Sequence, residues 1–295
     1  MTLIVARQLA ALSLFALDLA VRALRLQLLL PRTRPFILWS AITVNAYGEA
    51  AAAVTPGRLG GDPARFLGLR RAGADVPDAL AALGIDRIIN WALVGAAAVF
   101  LGLAFAGREA QAVERLFAVA RRPQARLVVA AALVLAFVSV ALARRLRYRF
   151  PARLALPLAD AVRRARDLGW PVVAAATALT AVSIVARVAI LPVLVAGHAG
   201  VALGTVVLGS FALLYGQLFL PTPAGAGGVE LGFVAGFAGV LSAGELAGLL
   251  VAWRIYTLIL GATLGGVLFA RGGLGHLWTS RRYRPPSDVN VQSRD

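Results

Sequence analysis

An otherwise apolar chain is interrupted twice, in the same way. Thr55-Pro56-Gly57-Arg58-Leu59-Gly60-Gly61 and Thr222-Pro223-Ala224-Gly225-Ala226-Gly227-Gly228 share the pattern TP-x3-GG, 167 residues apart. The match extends outward. Phe66 and Phe233 share that offset, as do Arg87-Ile88 and Arg254-Ile255. Tyr47-Gly48-Glu49 and Tyr215-Gly216-Gln217 match one residue out of step. Proline lacks a backbone donor and glycine admits left-handed backbone, so neither stretch suits a helix interior. We read the chain as an internal duplication, with each half organised about one break.

What lies between the breaks is set by composition. Of 295 residues, 60% are hydrophobic, and the mean hydropathy is +0.79. Such a chain falls in the polytopic membrane class. The net charge is +16, and every basic residue is arginine. These arginines gather between apolar runs, as expected from the positive-inside rule and from contact with anionic lipid headgroups. They do not form the aromatic-interleaved patches of nucleic-acid binders. The absence of cysteine excludes disulfides and thiolate chemistry. His198 and His276 are both expected in short connections, so neither a metal site nor a cofactor is expected.

A helix needs about 20 apolar residues to cross the hydrocarbon core. Seven spans are expected: 3–30, 35–54, 80–105, 125–143, 170–196, 201–220 and 245–270. Short helices over 63–71 and 229–241 follow the two breaks, each too short to span. The basic segment 144–166 is expected to contain an amphipathic surface helix. The fold class is therefore an all-α polytopic membrane protein, with about seven transmembrane helices, two re-entrant hairpins and an inverted-topology repeat. A single membrane domain covers 1–270: repeat 1 over about 1–105, a connector over 106–169, and repeat 2 over about 170–270. Residues 271–295 form a cytoplasmic tail. Placing 144–166 in the cytoplasm makes the first hairpin open inward and the second outward, and leaves the connection 108–122 outside. Trp39, Trp91, Trp170 and Trp253 are expected as anchors at the membrane interface.

Irregular backbone at membrane depth survives only within protein or beside a wet cavity. Pro56, Gly57, Gly60 and Gly61 in one turn, and Pro223, Gly225, Gly227 and Gly228 in the other, free amide N–H groups at the following helix starts. Helix N-termini suit anions, phosphate among them. Charges inside spans are costly and mark candidate sites. Arg58, Arg87 and Arg254 are the expected headgroup contacts, with Arg187 a second-half partner. Glu49, Asp62 and Glu230 either pair with Arg87 or Arg254, cap helix ends or take part in transport. Asn45 lies one turn from Glu49. Asp18, Arg22 and Arg25 share one helical face, and Asp18 and Arg22 are expected to pair locally.

The stretch VTPGRLGGDPARFLGLRRAG, followed by DRIINW, resembles the first signature of the lysylphosphatidylglycerol synthase transmembrane family, a group of flippase-like membrane proteins. FLPTPAGAGGVELGF resembles its second signature, and LDLAVRALRLQLLLP its arginine-bearing early helix. The resemblance covers about 14–270. Asp62, after two glycines, departs from the glutamate that often follows one. The family includes the membrane half of the multiple peptide resistance factors, which moves aminoacylated phosphatidylglycerol between leaflets, and modules linked to polyprenyl-phosphate sugar pathways. By position the resemblance implies roles for Pro56, Gly57, Arg58, Gly60, Asp62 and Arg87, and for Pro223, Gly225, Gly227 and Glu230.

The expected activity is movement of a phosphate-headgroup amphiphile between leaflets of the plasma membrane, in a polar cavity between the two hairpins. No catalytic triad, nucleotide loop or metal cluster argues for an enzyme. The expected partners are membrane lipids with anionic headgroups and a lipid-modifying enzyme or glycosyltransferase. Two alternatives stay open: an assembly factor of a lipid-headgroup or polyprenyl-glycosyl transferase, and a small-anion transporter.

Overall fold

The computed structural model describes residues 2–30, 37–105, 155–198, 201–237 and 240–279. Among these the secondary structure is helical, with no strand. The helices are α1 (Thr2–Leu29), α2 (Leu38–Val54), α3 (Gly61–Arg71), α4 (Val76–Phe105), α5 (Ala155–Arg166), α6 (Trp170–Val195), α7 (Leu203–Gly216), α8 (Gly228–Phe237), α9 (Ala243–Arg254) and α10 (Leu260–Thr279). A 3-10 turn, Gln217–Phe219, follows α7, and a π-helical turn, Ile255–Ile259, joins α9 to α10. Among the described residues four stretches are long and apolar enough to cross a membrane: Ile4–Leu29, Val76–Ala104, Trp170–Val195 and Ala243–Gly272. The connection 106–154, including the span expected over 125–143, lies outside the described residues.

Local chemistry sets the ends of these helices. Asp62 stands in the first turn of α3 and Arg70 and Arg71 in its last, each complementing the helix dipole. Ser242 and Glu245 form a reciprocal capping box that starts α9. Helix α6 begins with Pro in its first turn and contains Pro192. A proline cannot bond the carbonyl four residues back, here that of Val188. The buried Ser210 hydroxyl, from α7, donates to that carbonyl at 2.8 Å. The amphipathic helix expected within 144–166 occupies Ala155–Arg166 and packs on α4. Arg164 there pairs with Asp78, and this hydrogen bond holds its pKa above the ordinary arginine value.

The duplication is written in the backbone. Helices α3 and α8 start at Gly61 and Gly228, and α4 and α9 at Val76 and Ala243; both pairs are 167 apart. In each turn two successive residues take left-handed backbone, Gly57 (φ 57°) and Arg58 (φ 59°), then Ala224 (φ 50°) and Gly225 (φ 69°). Pro56 and Pro223 form an antiparallel bridge. A bridge of that kind between equivalent residues places a local two-fold axis between the turns. The one-residue slip between Glu49 and Gln217 also has a cause. The first half reaches its turn by α-helix, the second by the 3-10 turn, whose rise of about 2.0 Å per residue against 1.5 Å spans the gap with one residue fewer.

Helices α1 and α6 pack antiparallel: Arg7 lies against Gly197, Asp18 against Ser183 and Arg25 against Thr180. Two apolar cores flank this pair. One gathers Leu26, Leu29, Val44, Leu69 and Ile89 from the first half; the other gathers Ile190, Leu191, Val229, Phe233 and Trp253 from the second. Helix α10 crosses α2 closely enough that a Cβ on Gly265 would sit 1.9 Å from the Ala46 carbonyl oxygen.

Three expectations about particular residues are corrected. Trp253 is no interface anchor: it is wholly buried against Phe233, because it points into the second core. Trp91 lies midway along α4 rather than at its end. Helix α10 runs on to Thr279, so the tail expected from Arg271 begins as helix, and His276 is helical rather than in a connection.

Candidate functional site

Where α1, α2, α6 and the first turn converge, five ionisable groups meet. Asp18 and Arg22 stand one turn apart on α1, and Arg187 reaches them from α6. Glu49 comes from α2 and Arg58 from the turn that follows. Arg22 donates to Glu49 Oε1 at 2.5 Å, Arg187 reaches the same oxygen at 3.4 Å, and Arg58 donates to Glu49 Oε2. Arg187 also lies 3.2 Å from Asp18, Arg22 lies 3.4 Å from it, and Ser183 donates to it at 2.5 Å. Three guanidinium groups therefore share two carboxylates. Both acids are nearly inaccessible, Asp18 at 3% and Glu49 at 9% exposure.

A small pocket opens beside this cluster. Phe15, Leu19 and Leu264 form its apolar wall, and Asp18, Arg22, Glu49 and Arg187 its polar one. Gly261, two residues after the π-helical segment, also lines it, and a Cβ there would touch Glu49 at 3.4 Å. Glycine thus leaves the space beside Glu49 free of a side chain.

A second buried cluster adjoins the first. Arg65 of α3 donates to Asp86 of α4 at 2.8 Å, and Arg25 Nε lies 2.5 Å from the other oxygen, poorly aligned for a hydrogen bond. Arg25 also donates to Thr180 at 2.7 Å. This cluster ties α1, α3, α4 and α6 together and does not line the pocket.

Each half also holds its own ion pair. Asp62 pairs with Arg87 in the first, and Glu230 with Arg254 in the second, at 2.5 Å. The Glu230 carboxylate accepts in addition from the Gly227 N–H at 2.6 Å, and Arg254 donates to the Ala224 carbonyl at 3.1 Å, which clamps the second turn. Both pairs were among the expected ones. For Glu49 the expected pairing partners are corrected: it pairs with neither Arg87 nor Arg254 but with Arg22, Arg58 and Arg187.

Among the expected site residues, the structure brings together Glu49, Arg58 and Arg187. Arg87 with Asp62, and Arg254 with Glu230, lie apart at the turn-following helices. Asn45 is wholly buried in α2, its amide has no hydrogen-bond partner, and it does not line the pocket. The expected local pair of Asp18 and Arg22 forms only at 3.4 Å, and both members belong to the larger cluster. The pocket beside the cluster is placed differently from the cavity expected between the hairpins. The turns touch through the Pro56–Pro223 bridge, and the pocket lies to one side, against α1, α2, α6 and α10.

Asp18, Arg22, Arg25, Arg65 and Asp86 were missed as site residues. The shared face of Asp18, Arg22 and Arg25 was visible, but nothing in the sequence shows that α6 and α2 supply its partners. One signal for the site was available. Asp18 and Ser183 are separated by 165 residues, as are Arg22 and Arg187, so α1 and α6 carry matching polar positions.

Arg58 adds a backbone argument. Its φ of 59° is unfavourable for a residue with a Cβ, by about 1–2 kcal/mol. The equivalent position in the second half is Gly225, which avoids that cost. The Arg58 side chain is in turn paired with Glu49.

The family description Lysylphosphatidylglycerol synthase TM region matches residues 2–265. The chain belongs to this family. The match covers both turns, the charged cluster, three of the candidate spans and the fourth as far as residue 265. No match was found among curated proteins or solved structures. Membership and the apolar helices make the chain a membrane protein of the lysylphosphatidylglycerol synthase type.

Proposed function

We propose that this chain is a lipid translocator of the plasma membrane, moving a phosphate-headgroup amphiphile between leaflets. An aminoacylated phospholipid and an isoprenoid-phosphate-linked sugar are the two classes of cargo. The observation behind this reading is the cluster of Arg22, Arg58 and Arg187 around Glu49 and Asp18, beside a pocket between apolar helices. Buried ion pairs stabilise a fold little or not at all relative to apolar packing, so stability does not account for five ionisable groups here. Guanidinium forks match phosphate oxygens bidentately, and one positive charge exceeds the carboxylates present.

The duplication supports the same reading. In our proposal the antiparallel pair α1 and α6 and the bridged turns belong to an inverted repeat. The chain crosses the membrane about seven times, and two broken helices re-enter from opposite sides, as in alternating-access transporters. The headgroup would slide along the charged pocket while its tails stay in lipid. The chain acts on lipid without chemical turnover, and a lipid-modifying enzyme or glycosyltransferase supplies the cargo.

The test is lipid movement in reconstituted vesicles, read with a headgroup-labelled phosphatidylglycerol. Wild-type protein is expected to move it, and Arg58→Ala to lose movement while melting normally in detergent. Wild-type rates in Arg58→Ala would remove Arg58 from the site. Flux of a water-soluble anion without lipid movement would favour a small-anion transporter, and turnover of the lipid by the purified chain an enzyme.

A further inference from the structure

Glu49 is an odd residue to find at the centre of a phosphate site. An anion-binding pocket gains nothing for its ligand from a fixed carboxylate in the middle of it. Yet Glu49 receives all three guanidiniums: Arg22 and Arg187 on Oε1, Arg58 on Oε2. The arrangement is that of an anion already bound. A carboxylate presents two acceptor oxygens in the plane that a guanidinium fork fits, and a phosphate presents the same pair and more.

The duplication supplies a comparison inside the same molecule. The residue matching Glu49 is Gln217, which has nearly the same shape and no charge. Its side-chain amide donates to the Leu214 carbonyl of the preceding helix at 2.7 Å, and among the described residues no arginine is paired with it. The second half thus shows that a neutral residue of this shape is compatible with the helix end. The charge in the first half is a separate feature, set against three arginines.

We infer that Glu49 is a placeholder for the phosphate group of the ligand. With the pocket free, its carboxylate occupies the position among Arg22, Arg58 and Arg187 that a phosphate takes when the ligand binds. Binding exchanges one anion for the other, so the three guanidiniums never stand uncompensated in an apolar surrounding. The pocket lies alongside Glu49, and Gly261 presents no side chain there; a Cβ at Gly261 would stand 3.4 Å from Glu49 Cβ and Cγ. A site of this kind binds weakly enough to release its ligand, because the internal anion competes at all times. This inference rests on the translocator reading only for the lipid portion of the ligand; the phosphate chemistry is independent of it.

The experiment is thermal melting of the purified full chain in detergent, for wild type, Glu49→Gln and Glu49→Asp. Each is titrated at constant ionic strength with inorganic phosphate, with dihexanoyl phosphatidylglycerol, and with chloride and dihexanoylglycerol as controls. Glu49→Gln removes the competitor and is expected to respond to phosphate-bearing ligands at concentrations about tenfold lower than wild type. Glu49→Asp keeps an anion and is expected to respond like wild type. Response to both phosphate and the short-chain lipid assigns recognition to the phosphate group; response to the lipid alone assigns it to the phosphodiester with its glycerol. Equal response of wild type and Glu49→Gln, or an equal effect of chloride, overturns the inference. If Glu49→Gln fails to fold in phosphate-free buffer, rescue by either phosphate ligand during purification supports it, and failure of both overturns it. Vesicle assays of wild type keep the two claims apart. A wild type that moves no lipid, together with a Glu49→Gln that responds to phosphate, leaves the placeholder standing and removes the translocator.

Discussion

Pro192 and Ser210 show how single residues decide whether an apolar helix can be built. In hydrocarbon an unpaired carbonyl costs several kcal/mol, and Pro192 leaves that of Val188 without its helical partner. Ser210 supplies the donor. Ser210→Ala is therefore expected to lower stability by about 1–3 kcal/mol. Pro192→Ala restores the helical N–H, so in that background the same change should cost much less. Detergent melts of the two single variants and the double variant check this; equal losses in both backgrounds would show that the hydroxyl does something else. Arg58 belongs to the same scale. Its left-handed backbone is opposed by its own Cβ, and only the pairing of its side chain with Glu49 makes the choice of arginine intelligible.

At the scale of elements, the contact of α2 with α10 sets one wall of the pocket. Gly261 and Gly265 lie one turn apart on α10, and this spacing of small residues lets two helix backbones approach closely. A methyl group at Gly265 would overlap the Ala46 carbonyl at 1.9 Å, and backbone cannot swing aside as a side-chain end can. Gly265→Ala is expected to push α10 from α2 and lower stability by about 1–3 kcal/mol. Gly84→Ala, on α4, meets nothing within 4 Å. It should be neutral or stabilising, since alanine is the better helix former by up to about 1 kcal/mol. A pair of melting curves decides the matter, and equal behaviour of the two variants would contradict the packing.

For the whole molecule, the two-fold relation centred on Pro56 and Pro223 is the organising fact. Bridged residues have Cα atoms about 4.5–5.5 Å apart, within the span a disulfide closes. The chain has no cysteine of its own, so a Pro56→Cys, Pro223→Cys double variant offers one possible pair. Oxidation is expected to cross-link the two halves, visible after proteolysis between them. If the turns must separate during transport, the oxidised form should move lipid at a small fraction of the reduced rate. Undiminished movement in the cross-linked form would show that the turns are a fixed hinge.

Much of this architecture could be read from the chain before any coordinates. The apolar composition dictated helices, since nothing else satisfies backbone groups in lipid except a closed barrel. The TP-x3-GG breaks are local backbone chemistry, so they and the short helices after them fell where expected. Pairing of acids near the breaks with Arg87 or Arg254 was one of the readings open in the sequence, and the structure makes the pairs Asp62 with Arg87 and Glu230 with Arg254. What could not be read was which helices touch. Glu49 has Arg87 and Arg254 as available partners in sequence, yet α1 and α6 bring Arg22 and Arg187 to it instead. Trp253 has the position of an anchor and the surroundings of a core residue. The reason is common to both. A residue's backbone preference is written in its neighbours along the chain, whereas the partner of a buried charge is chosen by the crossing of helices far apart in sequence, and that crossing depends on the packing of every side chain between them.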